Sequence, residues 1–245
     1  MEILLCISTV PDTTTKITFS DDHKQVNLEG AKFVISPYDD HGLGKAVELK
    51  ESHQAKISVV SVGDKRCDEV LRKALAVGAD DAYRIDATPE DAFQVAEELA
   101  AFIRERSFDL VITGRESVDY NGGMVPDILG ELLGWPSVTP VTQIDLSEDP
   151  VVVTRSIDAG EEKLAVQKPF ILGATKELAE WRIPNMRGIM MARKKKLHVL
   201  EPQGAQPSVQ TQSYEPPRQK GAVKLIDADH PETLIELLHH EAKVI

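Results

Sequence analysis

Apolar runs of strand length alternate with amphipathic stretches of helix length from Glu2 to Ala174, and this order constrains the fold more than any other feature of the chain. Glu2 to Ile7 reads as a buried strand, and Ile17 to Leu28 as a hairpin around Ser20-Asp21-Asp22-His23. Ile57 to Val62 is a strand ending at Gly63; Ala82 to Ile85 and Asp109 to Thr113 follow, the last closed by Gly114. Between them, Ser36-Pro37-Tyr38-Asp39 supplies a cap, a proline at the first helical position and an early carboxylate for a helix to about Ser52. Asp64 opens a helix in which Val70, Leu71, Ala74 and Leu75 form the apolar face, and which stops at Gly78. Thr88-Pro89-Glu90-Asp91 repeats the cap, proline and acid pattern ahead of a helix to Arg106, and Val125 to Leu133 forms another, ended by Gly134. Val138 to Ile144, Val151 to Ser156 and Phe170 to Ala174 add strands. Strands joined through helical crossovers imply an α/β fold, a mostly parallel sheet with helices on both faces.

The composition changes after Leu200. Glu201 to Arg218 contains Pro202, Pro207, Pro216 and Pro217 among Gln and Ser residues and reads as an extended linker. Ala222 to Ile226 is a strand candidate, and Pro231 to His240 an amphipathic helix with Leu234, Ile235, Leu237 and Leu238 largely on one side. The chain therefore divides at residue 200 into a large domain and a C-terminal arm of residues 201–245, which docks on the same domain or on another subunit or else is a loosely held tail.

A chain of 245 residues with 42% hydrophobic content buries one sizeable core. Its net charge of -12 and 5% aromatic content argue against nucleic-acid binding. Arg193-Lys194-Lys195-Lys196 is the one dense cationic run, and it follows an apolar stretch from Trp181 to Ala192; the pairing suits an acidic partner. Met1 to Ile7 has no basic flank and is too short to span a bilayer, so no membrane insertion is expected. Cys6 and Cys67 lack zinc spacing, which points to free thiols, no metal and a cytoplasmic setting.

In an open parallel sheet, ligands bind beyond the carboxyl ends of the strands. Those ends are Cys6-Ile7-Ser8, Val62-Gly63, and the segment from Gly114 to Gly123. Gly122 and Gly123 let backbone amides approach an anion, so Asn121 to Val125 is a candidate phosphate cradle; a tight strand-to-helix turn accounts for the same spacing equally well. There is no Walker lysine and no GxGxxG. Ser8 and Ser117 have no nearby His and Asp, and His239 and His240 sit on a terminal helix, so no catalytic residues are assigned.

Val10-Pro11-Asp12, Ser36-Pro37-Tyr38-Asp39, the run from Ala46 to Glu51, Val60-Ser61-Val62-Gly63, the block from Leu71 to Asp80 and the block from Ile189 to Lys196 together resemble the beta subunit of electron transfer flavoprotein. Pro216-Pro217-Arg218 ahead of a terminal helix is similar to that family's C-terminal arm. The resemblance implies a Rossmann-like domain that buries AMP, in a heterodimer whose alpha subunit carries the redox-active FAD. It implies a recognition loop, residues 181–196, that docks acyl-CoA or related dehydrogenases, and a quinone reductase or other acceptor for the electrons. By position, nucleotide contacts fall on Cys6, Ser36, Pro37, Tyr38, Asp39, Val62, Gly114, Asp119, Asn121, Gly122, Gly123, Met124 and Val125. The apolar anchor of the recognition loop falls on Met186, with Ile189, Met190, Arg193, Lys194, Lys195 and Lys196 beside it. The chain departs from the family at Ser36, where Asn is usual, in a phosphate loop with fewer Asp residues, and at Met186, where Leu is common. Two alternatives remain: a bifurcating subunit with a second FAD and an NADH site, and a stand-alone ATP-binding sensor of the universal-stress type.

Overall fold

Ile3, Leu4, Leu5 and Cys6 are all buried, as a strand covered on both faces requires, and β1 (Glu2–Cys6) lies in the interior of the sheet. The computed structural model describes residues 1–218 and 221–245. After β1 come four short strands, β2 (Thr9–Pro11), β3 (Thr18–Phe19), β4 (Val26–Asn27) and β5 (Phe33–Ile35), then α1 (Pro37–His53), β6 (Lys56–Val62) and α2 (Cys67–Val77). The chain continues through β7 (Asp81–Ile85), α3 (Ala92–Arg104), β8 (Leu110–Gly114), α4 (Val125–Leu133), β9 (Ser137–Asp145), β10 (Val151–Ile157), β11 (Gly160–Val166) and β12 (Phe170–Ala174). It ends with α5 (Met186–Ala192), β13 (Leu197–Leu200), α6 (Glu232–Leu237) and a π-helical segment, Leu238–Ala242, that continues α6.

Nine strands form the main sheet in the order β11-β10-β9-β12-β8-β1-β6-β7-β13. Its pairings are parallel except those of β10, which runs against both neighbours. Successive residues of β1 feed different cores. Ile3 and Leu5 meet Leu43 and Val47 of α1 and Leu71 and Leu75 of α2 in one cluster, whereas Leu4 and Cys6 join Leu99 and Ile103 of α3 and Leu129 of α4 in another. The chain steps from β1 outward to β6 and β7, then returns to lay β8 on the other side of β1. That reversal is the switch point at which strand-end loops splay apart.

The fold corrects the sequence reading at several points. Asp91, not Thr88, caps α3: its Oδ1 accepts the Gln94 N–H at 2.8 Å, and Thr88-Pro89 stays outside the helix. Ala222 to Ile226 forms no strand; among the described residues no strand runs beside it, and Val223 and Leu225 stand 80% and 89% exposed. β11 and β13 are additional strands, one at each sheet edge.

The first part of the linker is tied down. The buried Glu98 carboxylate accepts backbone N–H groups from Gln203, Gly204 and Ala205 at 2.8–3.0 Å, and Asp91 Oδ2 accepts those of Ser208 and Val209 at 2.5 and 2.9 Å. Further on, Tyr214 stacks on Phe19 with ring centroids 5.4 Å apart, and its N–H donates to the His23 carbonyl at 2.7 Å.

Candidate functional site

Ser36 stands at the N-cap of α1, yet its hydroxyl makes no cap bond. Its own N–H donates to the Ser8 carbonyl at 3.0 Å, and its fully buried Oγ has no hydrogen-bond partner among the described residues. Asp39 does not reach back to complete a capping box. One carboxylate oxygen accepts the Ser8 N–H at 2.7 Å and the other the Gly114 N–H at 2.6 Å. The side chain thus ties the loop after β1 to the end of β8 across the switch point, from a position where the α1 dipole favours negative charge. The amides of Ser8 and Gly114 are thereby satisfied by the protein itself.

Burial pushes the Asp39 carboxyl up to about 7, against the downward pull of the two amides. Its folded pKa lies above the unfolded value, so between about pH 4 and pH 7 the folded chain keeps a proton that the unfolded chain has released. The stability this group contributes therefore falls as pH rises through that window. The difference in unfolding free energy between the natural chain and Asp39→Asn, which does not titrate, should shrink from pH 4 to pH 7 in urea titrations. A difference that grows across the same range would show a carboxylate ionised throughout.

Cys6 ends β1 beneath this clamp, and burial, with the neighbouring Asp39 charge, pushes its thiol far above the usual range, so it packs as a small apolar group. Val62 ends β6 half-buried. Tyr38 lies under the Arg115 guanidinium, 5.4 Å from its ring centroid, and Arg115 also pairs with Glu116 at 3.1 Å. Arg115 thus stands beside the same loop; the sequence reading did not name it among the contacts, although a cation within the segment from Gly114 to Gly123 is a signal that could have found it.

The loop from Gly114 to Val125 is braced from within. Ser117 and Gly122 exchange backbone hydrogen bonds at 3.1 and 3.3 Å, and Asp119 accepts both the Ser117 hydroxyl and the Tyr120 N–H. Asn121 adopts φ +49°, the left-handed turn that closes the ring. Gly122 thus spends its amide on Ser117, whereas those of Gly123 and Met124 have no protein partner among the described residues and precede the open N-terminus of α4 at Val125. Gly123 also borders a hollow of about 450 Å³ on the β9–β10 side, lined by Arg115, Thr139, Pro140 and Ser156 among others.

The structure therefore gathers Cys6, Ser36 to Asp39, Val62 and the loop from Gly114 to Val125 around the carboxyl ends of β1, β6 and β8. It puts the partner candidates elsewhere. α5 packs on α2, at the end of that helix away from the crevice, and exposes Met186 (74%) and Met190 (65%), with Ile189 at the margin. Arg193, Lys194 and Lys196 are exposed, but Lys195 turns back so that its ammonium donates to the carbonyls of Leu75 and Ala79, and its pKa is lowered by desolvation. Among the described residues no helix is long and apolar enough to cross a membrane, and no cluster of His, Cys, Asp and Glu is arranged for a metal.

Comparison with known proteins shows the family. The family model for the electron transfer flavoprotein domain matches residues 25–204. The chain is 31% identical to the electron transfer flavoprotein subunit beta of Bacillus subtilis (strain 168), with all of both chains covered. It is 31% identical to that of Dictyostelium discoideum over 100% of this chain and 99% of the relative, and 32% identical to the human subunit over 82% of each. The chain belongs to the electron transfer flavoprotein family, in its beta-subunit group, and its role is electron transfer.

Proposed function

We propose that this chain is the beta subunit of a heterodimeric electron transfer flavoprotein, in which residues 1–200 hold AMP as a structural ligand and residues 201–245 dock on the alpha subunit. The observation that carries the nucleotide reading is the fully buried, unpartnered Ser36 Oγ at the switch-point crevice. A buried hydroxyl without a partner costs free energy unless a ligand supplies the missing bond. The site's donor set fits an adenosine phosphate. Ser36 lies ready for a polar edge, Cys6 and Val62 supply apolar walls, and the amides of Gly123 and Met124 with the α4 N-terminus suit a phosphate. Asp39 excludes anions from the amides of Ser8 and Gly114, which favours the Asn121 to Val125 loop as the phosphate end.

FAD, held mainly by the alpha subunit, supplies the redox chemistry when bound. This chain contributes position and partner choice. Met186 anchors in an apolar pocket of an acyl-CoA or related dehydrogenase, and the exposed cations of 193–196 steer the encounter; a quinone reductase or other acceptor takes the electrons onward. Denaturing the purified heterodimer should release about one AMP and one FAD per complex, quantified by chromatography. Two FAD and no AMP would establish the bifurcating type instead, and ATP from a homodimer the stress-type sensor.

A further inference from the structure

We infer that Arg72 and Gly188 are positioning residues for donor docking: they fix α5, and with it Met186, in one pose before a dehydrogenase arrives. The inference rests on the reading of Met186 as the anchor. α5 has seven residues and a single buried side chain, Ala192, so neither length nor an apolar face of its own holds it. What holds it comes from α2. The backbone at Gly188 passes so close to the Ala76 carbonyl that a Cβ there would overlap a main-chain oxygen, which cannot swing aside as a side chain can. The Arg72 guanidinium donates to the carbonyls of Ala192, the last residue of α5, and Lys195, in the turn that follows it, at 2.9 and 2.6 Å. Asn185 Oδ1 accepts the Gly188 N–H at 2.8 Å and closes the other end.

The approach to α5 is fixed as well. His41 Nδ1 bonds the Ala179 carbonyl at 2.7 Å, and Arg182 grips Glu51 in a bidentate pair at 2.7 and 3.0 Å. A segment whose outward face is mostly apolar is thus carried on a backbone held at both ends. Holding the backbone while leaving methionine side chains adaptable lowers the ordering cost of docking without demanding one pocket shape.

The test uses the reconstituted heterodimer with its FAD, reduced by a straight-chain acyl-CoA dehydrogenase charged with its acyl-CoA. Gly188→Ala and Arg72→Met should each raise the KM for the heterodimer about tenfold while kcat stays within about twofold, as a displaced anchor predicts. FAD and AMP content should match the unsubstituted complex, and Arg72→Lys should recover part of the loss by restoring one donor. If Met186→Ala raises KM while Gly188→Ala and Arg72→Met do not, these residues do not set the anchor, and the docking reading survives alone. If Met186→Ala itself leaves KM unchanged, the docking reading falls and this inference with it. Should Gly188→Ala fail to fold, Arg72→Met decides.

Discussion

Gly114→Val is expected to yield a chain that retains no nucleotide and unfolds at markedly lower urea concentration. A Cβ at this position would lie 2.6 Å from Asp39 Oδ1, 2.9 Å from Tyr38 Cβ and 3.2 Å from the Glu116 carbonyl, and valine adds two more carbons. The carboxylate must then leave Ser8 and Gly114, stranding amides at the ends of two central strands. Hydrogen bonds to a charged group contribute about 1.5–3 kcal/mol each and overpacking costs about 1–3 kcal/mol, so a loss of at least about 4 kcal/mol is expected. Gly122→Ala is the matched control for stability. Its nearest neighbour would be Tyr120 Cβ at 3.9 Å, ordinary contact, and its urea midpoint should scarcely move. Equal midpoints for the two variants would mean that the clamp contributes nothing.

Truncation after Arg218 is expected to weaken the heterodimer about a thousandfold while leaving the melting of the remaining chain unchanged. Val223, Leu225, Leu234 and Ile235 are 80%, 89%, 47% and 61% exposed, so the isolated chain loses no core when they go. Buried against a partner they contribute about 1.5 kcal/mol each, and ordering the arm offsets roughly a third of that, leaving about 4 kcal/mol. Isothermal titration with the alpha subunit measures the difference directly. Unaltered affinity would make the arm a tail without a binding role.

The central sheet was legible because β1, β6 and β8, covered on both faces, are largely apolar runs, the last two closed by Gly63 and Gly114. Its edges were not. β11 carries Glu161, Glu162 and Lys163, charges that an edge strand tolerates and that hide it from a hydrophobic pattern, and β13 is four residues long directly behind the lysines. The site's position could be read from strand ends and glycines, but the tasks of its side chains could not. Asp39 carries the local signature of a helix cap, and only the fold brings it within reach of Ser8 and Gly114, residues far away in sequence. Lys195 likewise looks identical to its neighbours in the basic run; the α2 carbonyls that claim it are set by tertiary packing.

On the proposed docking of the arm, the capture of residues 203–209 by Glu98 and Asp91 changes the kinetics of assembly as well as the shape of the chain. An arm that leaves the domain from a pinned point would then make two linked contacts with one partner. Once the domain face has met the alpha subunit, the arm's own docking becomes unimolecular, at an effective concentration in the millimolar range rather than that of the free subunit. Each contact then holds the partner near while the other reopens. The lifetime of the proposed heterodimer would be governed by simultaneous release at both places, so that a contact of modest strength at each would sustain a complex through many rounds of donor binding and departure.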